Sequence, residues 1–430
     1  MRIRAALVAA TTLALLALPT AGANFTNPTS NDGNSWASRQ PIRITTYQIG
    51  SGTFTGTTYD ITLAQDLEAD YFVIMRGGAG ANDANTARDP DQDYARVIGD
   101  PHGNLAVTTS SNVLRLGRAT ASSDWQGQVS VIESPDSQST DGFTLLGVAE
   151  ISMVADDLAE TGTVSAWSAI GDVGLYVGIN GGGVSTTSST RKDHITAWGR
   201  IYPSSTNTVN VERLDPDNGN GSLSGTTTFT VYAIEWGSSW TIQRVTVTGS
   251  ASGNGVDATG EYNTASISSV NRDETFVTVS GTTETNRLAN GWEGHVVTLG
   301  DGVNQNTTET SVAVGAEGSG YREAEVYVHS HANLAVDYRF GSDGSIASSE
   351  LTDTQAVDSA LGPESYSGST TVGYRLPYFT NSQNGNNTNY PRPLMWARHS
   401  ADTTVTWTRS RSGEDGAYWL QSIDFSEIWR

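Results

Sequence analysis

Thr57-Thr58-Tyr59-Asp60-Ile61-Thr62-Leu63 decides the fold class, because Tyr59, Ile61 and Leu63 alternate with Thr58, Asp60 and Thr62. Period two places one set of side chains on a core face and the other toward water, the signature of a half-buried strand. The same alternation returns at Gln128-Val129-Ser130-Val131, Thr228-Phe229-Thr230-Val231-Tyr232 and Thr404-Val405-Thr406-Trp407. Glycine, asparagine and aspartate clusters that read as turns separate these runs, at Arg76-Gly77-Gly78-Ala79-Gly80, Asp215-Pro216-Asp217-Asn218-Gly219, Gly253-Asn254-Gly255 and Asn384-Gly385-Asn386-Asn387. Helical candidates are short, the best being Ala155 to Glu160 and Asp353 to Leu361. Many strands, frequent turns and few helices predict an all-β chain of three to four tandem antiparallel β-sandwich modules, jelly-roll or Ig-like.

Composition narrows the function. Of 430 residues, 46 are Asp or Glu and 24 are Lys or Arg, a net charge of −22, and Lys192 is the one lysine. Phosphate backbones and anionic membranes are recognised by clustered cations, so no nucleic-acid partner is expected. With no cysteine, disulfide scaffolds, thiolate metal sites and cysteine nucleophiles are excluded. Met1 to Arg4 carries two arginines, Ala5 to Leu18 is apolar, and Pro19 and Ala21-Gly22-Ala23 follow, a pattern that reads as a signal peptide over 1–23. The expectation is a secreted, extracellular or cell-surface protein, with a virion also open, that has no membrane contact once the signal is cleaved.

Module boundaries are predicted from where closing strands end: a first module over 24–153, a second over 154–237, a third over 238–344 and a C-terminal module over 345–430. Three repeats support a modular chain. Ala95-Arg96-Val97 through His102 to Val107 matches Ala324-Glu325-Val326 through His331 to Val336 without gaps, and Trp125-Gln126-Gly127-Gln128-Val129 matches Trp292-Glu293-Gly294-His295-Val296. A third theme is an arginine-ended strand, a polar turn, and a strand closing on an acid or aromatic. It appears as Leu114-Arg115 to Glu133, Val211-Glu212-Arg213 to Glu235-Trp236, and Thr408-Arg409 to Asp424-Phe425. The expected partners of Glu133, Glu235 and Asp424 are Arg115, Arg213 and Arg409 across one sheet.

The chain lacks the G-x-S-x-G, Walker and H-E-x-x-H patterns, and no catalytic residue or organic cofactor is assigned. Structural calcium is one reading of Asp89, Asp91 and Asp93 and of Asp215 and Asp217, whose oxygens recur at alternate turn positions; self-bonded Asx turns are the other. His329 and His331 share one strand face at period two, and a transition metal would need a third ligand such as Asp337. Trp236, Trp240, Trp396 and Trp419 lie near module ends and are candidates for contacts between modules or chains, or for stacking on a cell-surface glycan.

The segment Tyr59 to Gly78, with its strand, Asp70 and Tyr71-Phe72-Val73-Ile74-Met75-Arg76-Gly77-Gly78, resembles repeats in uncharacterised virion and tail-fibre structural proteins of tailed bacteriophages. So do the closing strands, the run Gly291 to Asn304 and the run His331 to Phe340. The resemblance implies a β-rich homo-oligomer that builds or decorates a particle, and it carries no catalytic residues. The expected function is a non-enzymatic extracellular structural protein that self-assembles into a fibre, surface layer or virion-like appendage. The alternatives are a carbohydrate-binding adhesin and a polysaccharide-active enzyme. Assembly predicts apolar strand edges completed by a neighbouring copy, with Asn24 to Gln40 as a candidate donated arm.

Overall fold

Six strands recur four times with one pattern of pairing in the computed structural model, which describes residues 42–79, 94–121, 124–135, 140–177, 183–184, 198–214, 225–250, 262–283, 295–302, 306–315, 321–346, 351–357, 365–367, 369–383, 395–409 and 416–428. Module one holds Arg43–Phe54, Thr58–Thr62, Tyr71–Ala79, Arg96–Asp100, Val113–Gly117 and Trp125–Glu133. Module two holds Phe143–Met153, Ala159–Thr163, Val173–Tyr176 (resuming at Gly183–Val184), Arg200–Pro203, Thr208–Glu212 and Thr227–Trp236. Module three holds Thr241–Ser250, Tyr262–Asn271, Thr275–Thr283, Val296–Leu299, Thr308–Gly315 and Tyr321–Ser330. Module four holds Ala335–Ile346, Thr352–Ala356, Arg375–Gln383, Met395–Ala401, Thr404–Arg409 and Gly416–Asp424.

In every module the first, sixth and third strands make one antiparallel sheet with the sixth at its centre. The second, fifth and fourth make the other, with the fifth at its centre. This is the path of a jelly roll without the two strands between its fourth and seventh, whereas an Ig sandwich pairs its first strand with its second. The jelly-roll form of the predicted all-β sandwich is the one adopted.

The sixth strands explain how the modules hold together. Thr227–Trp236 is buried along almost its whole length, not on alternate residues. One face packs on the module's own second sheet, where Phe229 and Val231 share a core with Ile201, Val209 and Val211. The other face enters a core that runs continuously from module one to module four and includes Ile132, Trp236, Val277 and Ile423. Module four repeats the arrangement, with Leu420 in a local core beside Met395, Ala397 and Trp407, and Trp419 and Ile423 in the shared one. A sheet covered on both faces reads as a near-continuous apolar run, and the six residues Val231 to Trp236 do.

Several sequence expectations shift. Phe143–Met153, read as the end of the first module, pairs with Thr227–Trp236, and Ala335–Ile346 pairs with Gly416–Asp424. Ala155 to Glu160 is a turn leading into a strand, and Asp353 to Ala356 is strand, because their partners supply ladders that short helices lack. Arg76-Gly77-Gly78-Ala79 lies inside a strand rather than a turn. A Cβ on Gly77 would stand 2.4 Å from the Trp125 indole and one on Gly127 also 2.4 Å from it, so these glycines make room for a ring laid across the strands.

Candidate functional site

A buried arginine, which acts as a latch, recurs where the fifth strand ends in modules one, two and four. The backbone N–H groups of Arg118, Arg213 and Arg409 donate to the carbonyls of Thr57, Leu158 and Leu351, each immediately before a second strand. The Arg118 guanidinium then reaches Gly56 O at 2.9 Å and Phe54 O at 3.1 Å, and that of Arg213 reaches Val154 O at 3.1 Å and Asp157 O at 2.6 Å. The Arg118 and Arg213 guanidinium groups thus satisfy carbonyls between first and second strands, which otherwise have no ladder partner. Arg213 is held down to about 10 by burial, against the nearby Asp157 and Asp156, and stays charged at neutral pH.

These arginines are not the partners of the strand-end acids that the sequence suggested. Glu133 pairs with Arg43 at 2.7 Å, Arg115 with Asp60 at 2.6 Å, and Glu235 accepts from the N–H groups of Ser168 at 2.7 Å and Ala169 at 3.3 Å. Asp424 lies 3.5 Å from Arg375. Strand register sets these pairings: Glu133 lies directly opposite Arg43, and Asp424 directly opposite Arg375.

The fourth strand is an edge in modules two, three and four, and in module one only Gly99 and Asp100 pair outward, with Val107–Thr108, so its outward backbone groups need partners from elsewhere. The next module supplies them. Thr230 Oγ1 donates to Val97 O at 2.9 Å, the Tyr327 hydroxyl donates to Ile201 O at 3.0 Å, Ile201 N donates to Ser280 Oγ at 3.0 Å, and Val297 N donates to Thr380 Oγ1 at 3.3 Å. Gln421 does the same for the third-strand edge of module three, accepting from Val277 N and donating to Val277 O, both at 2.8 Å. The series closes on itself. The Met395–Ala401 strand packs on Tyr71–Ala79 and Trp125–Glu133, and a hairpin from module four, Ser365–Ser367 with Thr370–Gly373, extends the first sheet of module one through Thr370–Gly373 beside Arg43–Phe54.

Charge follows the same geometry. Arg96, opening the fourth strand of module one, pairs with Glu150 and donates to Thr230 Oγ1 at 3.2 Å. Arg200, in the same place in module two, pairs with Glu212 and lies 3.7 Å from Glu323 and within electrostatic reach of Glu325. Glu150 lies opposite Thr230, and Thr246 opposite Glu325, so acid and threonine exchange strands between the two junctions. Burial pushes the Glu325 carboxyl up despite Thr246 and Arg244, whereas for Glu212 the Tyr202 and Arg200 hydrogen bonds outweigh burial and hold it down.

The ends of these strands converge on an aromatic hub. Phe72 of module one stacks on Tyr176 of module two at 4.2 Å, and Trp236 meets Trp240 at 4.3 Å. Phe276 stacks on His329 at 4.4 Å, and Phe425 of module four lies 5.9 Å from Phe276. Trp236 Nε1 donates to the Tyr176 hydroxyl at 3.1 Å, and that hydroxyl lies 2.6 Å from His329 Nε2. Burial drives His329 down to about 3, against backbone hydrogen bonds at Phe276 and Tyr327, so its ring is neutral.

Both predicted histidines face this hub. His331 meets Trp240 at 4.9 Å, lies 3.4 Å from Asp141, and accepts from Asn333 N, while Asp337 pairs with Arg339 at 2.8 Å. Among the described residues no three His, Asp or Glu side chains gather as a metal-ligand set. Asp89, Asp91, Asp93, Asp215 and Asp217 lie outside the described residues, as do 1–23 and the proposed arm to Gln40. Trp236, Trp240, Trp396 and Trp419 are all buried, so none presents a ring to a sugar. Trp419 donates to the Tyr262 hydroxyl at 3.0 Å, joining modules three and four. The sequence reading missed Tyr176, Phe276 and Gln421, which lie on strands without a local pattern to mark them. No described helix is long and apolar enough to cross a membrane.

No family model matches the chain, and no curated protein matches it. Among solved structures, the infectious bursal disease virus Gx strain is 12% identical, covering 93% of this chain and 83% of that one, with a TM-score of 0.10. T=1 particles derived from the same virus are 11% identical, covering 93% and 81%, with a TM-score of 0.11. Scores this low carry no inference about the fold or the function.

Proposed function

We propose that this chain is a non-enzymatic structural protein whose rigid four-module body is the building block of an extracellular fibre, surface layer or virion-like appendage. The supporting observation is the closed series of junctions, in which polar groups bridge neighbouring modules. Arg200 of module two lies 3.7 Å from Glu323 of module three, Arg244 of module three donates to Pro203 O of module two at 2.8 Å, and His329 of module three meets the Tyr176 hydroxyl of module two. The free second-strand edges are polar and acidic, as in Ala159–Thr163 and Thr352–Ala356, contrary to the apolar edges expected of an assembling sheet. Charged edges of this kind discourage strand pairing between copies.

We place the contact between copies instead on exposed apolar residues flanking the first and second strands. Val154, Leu158 and Leu351 stand 53%, 42% and 44% exposed there. Leu158 and Leu351 are equivalent residues of modules two and four, their carbonyls each accepting from a latch arginine, so two similar apolar positions are offered to a neighbouring copy. Light scattering on the full chain at two concentrations, with and without a calcium chelator, tests the reading. Discrete oligomers or filaments that Leu158→Asp with Leu351→Asp reduces to monomers support it; a monomer at every concentration overturns it. Loss of assembly on chelation adds structural calcium to the contact.

A further inference from the structure

Arg76 lies in the third strand of module one, on the face turned toward module four, and is buried. Its Nε and Nη1 meet no hydrogen-bond acceptor. The groups around it are poorly suited to neutralising a cation. The Phe379 ring lies under the guanidinium, with its centroid 5.8 Å from Cζ, and Tyr378 is within electrostatic reach. The Tyr378 hydroxyl oxygen is already engaged, accepting from Val279 N at 3.1 Å, which leaves its proton to give. Gln128, opposite Arg76 in the ladder, donates its amide to Ser130 Oγ at 2.8 Å.

A second donor at the same junction is also unanswered. Trp396 belongs to the strand of module four that packs on Tyr71–Ala79, and alternation sets it opposite Met395 and Ala397, which fill that module's own core. Its indole Nε1–H is buried without an acceptor. Buried donors are satisfied in nearly all proteins, and a buried charge is paired or else shifts its pKa. Burial draws Arg76 down to about 9, which leaves it cationic at neutral pH. Among the described residues this junction offers a guanidinium, an indole N–H and a phenol but no acceptor carrying negative charge.

We propose that the junction between modules one and four binds a small oxyanion, a carboxylate or a tetrahedral phosphate or sulfate, with the Arg76 guanidinium as its counter-charge and the Trp396 N–H as a second donor. Planar guanidinium forks suit the oxygens of both classes. The chain's net charge of −22 disfavours diffuse anion binding at its surface, so an anion effect localises to a site of this kind. The inference does not depend on self-assembly, since the site lies within one chain.

The test is thermal unfolding of the full chain at fixed ionic strength, with sodium phosphate or sodium acetate replacing sodium chloride in separate series. The wild type is expected to show a saturable rise in Tm in at least one series, and which one identifies the anion class. Arg76→Met is expected to be flat in both, and Trp396→Phe to need a several-fold higher half-saturating concentration. A flat wild type in both series, or an Arg76→Met response equal to the wild type, overturns the site. Should Arg76→Met fail to fold, a Trp396→Phe curve that superposes on the wild type overturns it equally.

Discussion

The Tyr176 hydroxyl lies 2.6 Å from His329 Nε2 and ties the third strand of module two to the sixth strand of module three. Because Trp236 Nε1 already donates to that hydroxyl oxygen, the phenolic proton points to a neutral imidazole. The folded-state value of His329 is depressed from 6.5 to about 3 by burial, and that of His399 likewise to about 3 by burial and Arg375. The unfolded chain therefore takes up protons first as pH falls. The stability these histidines contribute is complete above 6.5 and is lost as pH drops toward 3, at about 1.4 kcal/mol per pH unit for each ring. Urea unfolding between pH 7 and 4 should show this slope. His329→Gln, which keeps an acceptor for Tyr176, should lessen it by one proton; an unchanged slope would mean His329 is protonated in the folded state.

The latch arginines give a second test. Arg213→Ala would leave the carbonyls of Val154 and Asp157 without their donor beside a buried cavity, at a cost of about 2–4 kcal/mol. Arg115→Ala removes a half-exposed pair between the fifth and second strands of module one and should move the midpoint far less. Denaturant midpoints of the two variants, compared with equal m-values, separate them. Equal losses would remove the distinction between latch and surface pair.

Legibility from sequence divides along physical lines. Period two at Thr57 to Leu63 was enough for strand and sandwich, because a half-buried strand writes its two environments into alternate residues. In the sixth strands the alternation at Gln128 to Val131 and Thr228 to Tyr232 marks strand but not a solvent face, since both faces are buried, and the register that opposes Glu133 to Arg43 instead of Arg115 is set by pairing across ninety positions. The ungapped match of Ala95 to Val107 with Ala324 to Val336 aligns a fourth strand with a sixth, so it crosses inequivalent places in the fold. The looser arginine-to-acid theme instead links fifth strands to sixth strands in modules one, two and four. In modules two and four its arginine is the buried latch, Arg213 or Arg409, whereas in module one the latch is Arg118 and Arg115 pairs with Asp60 nearer the surface. The hub was half visible: Trp236 and Trp240 near a module end pointed to a contact, but Tyr176 and Phe276 are single aromatics whose roles depend on a neighbouring module.

Gln421 spans the junction of modules three and four with one amide serving both backbone groups of Val277. Gln421→Leu is close in volume and leaves a buried N–H and a buried carbonyl without partners, about 2–5 kcal/mol together. Because the lost bonds lie between modules, the variant should also loosen cooperativity, and calorimetry should resolve a shoulder where the wild type unfolds in a single transition. A uniform shift with a single sharp peak would show that the shared apolar core alone couples the modules.

The exchange of acid and threonine between junctions provides a test that depends on geometry more than on any single contact. Glu150 and Thr230 face each other on adjacent strands beneath Arg96, and Thr246 and Glu325 do so near Arg200 and Arg244, with the acid on the other strand. If the two junctions are equivalent solutions, moving the acid across the ladder should preserve the first. Glu150→Thr alone removes the carboxylate from a partly buried arginine and should cost about 1–2 kcal/mol, and Thr230→Glu alone sets two carboxylates side by side at a comparable cost. The double variant should recover at least about 1 kcal/mol of the summed loss in a double-mutant cycle. Additive losses would mean that Arg96 reads the strand on which the acid sits, and that the two junctions are not interchangeable.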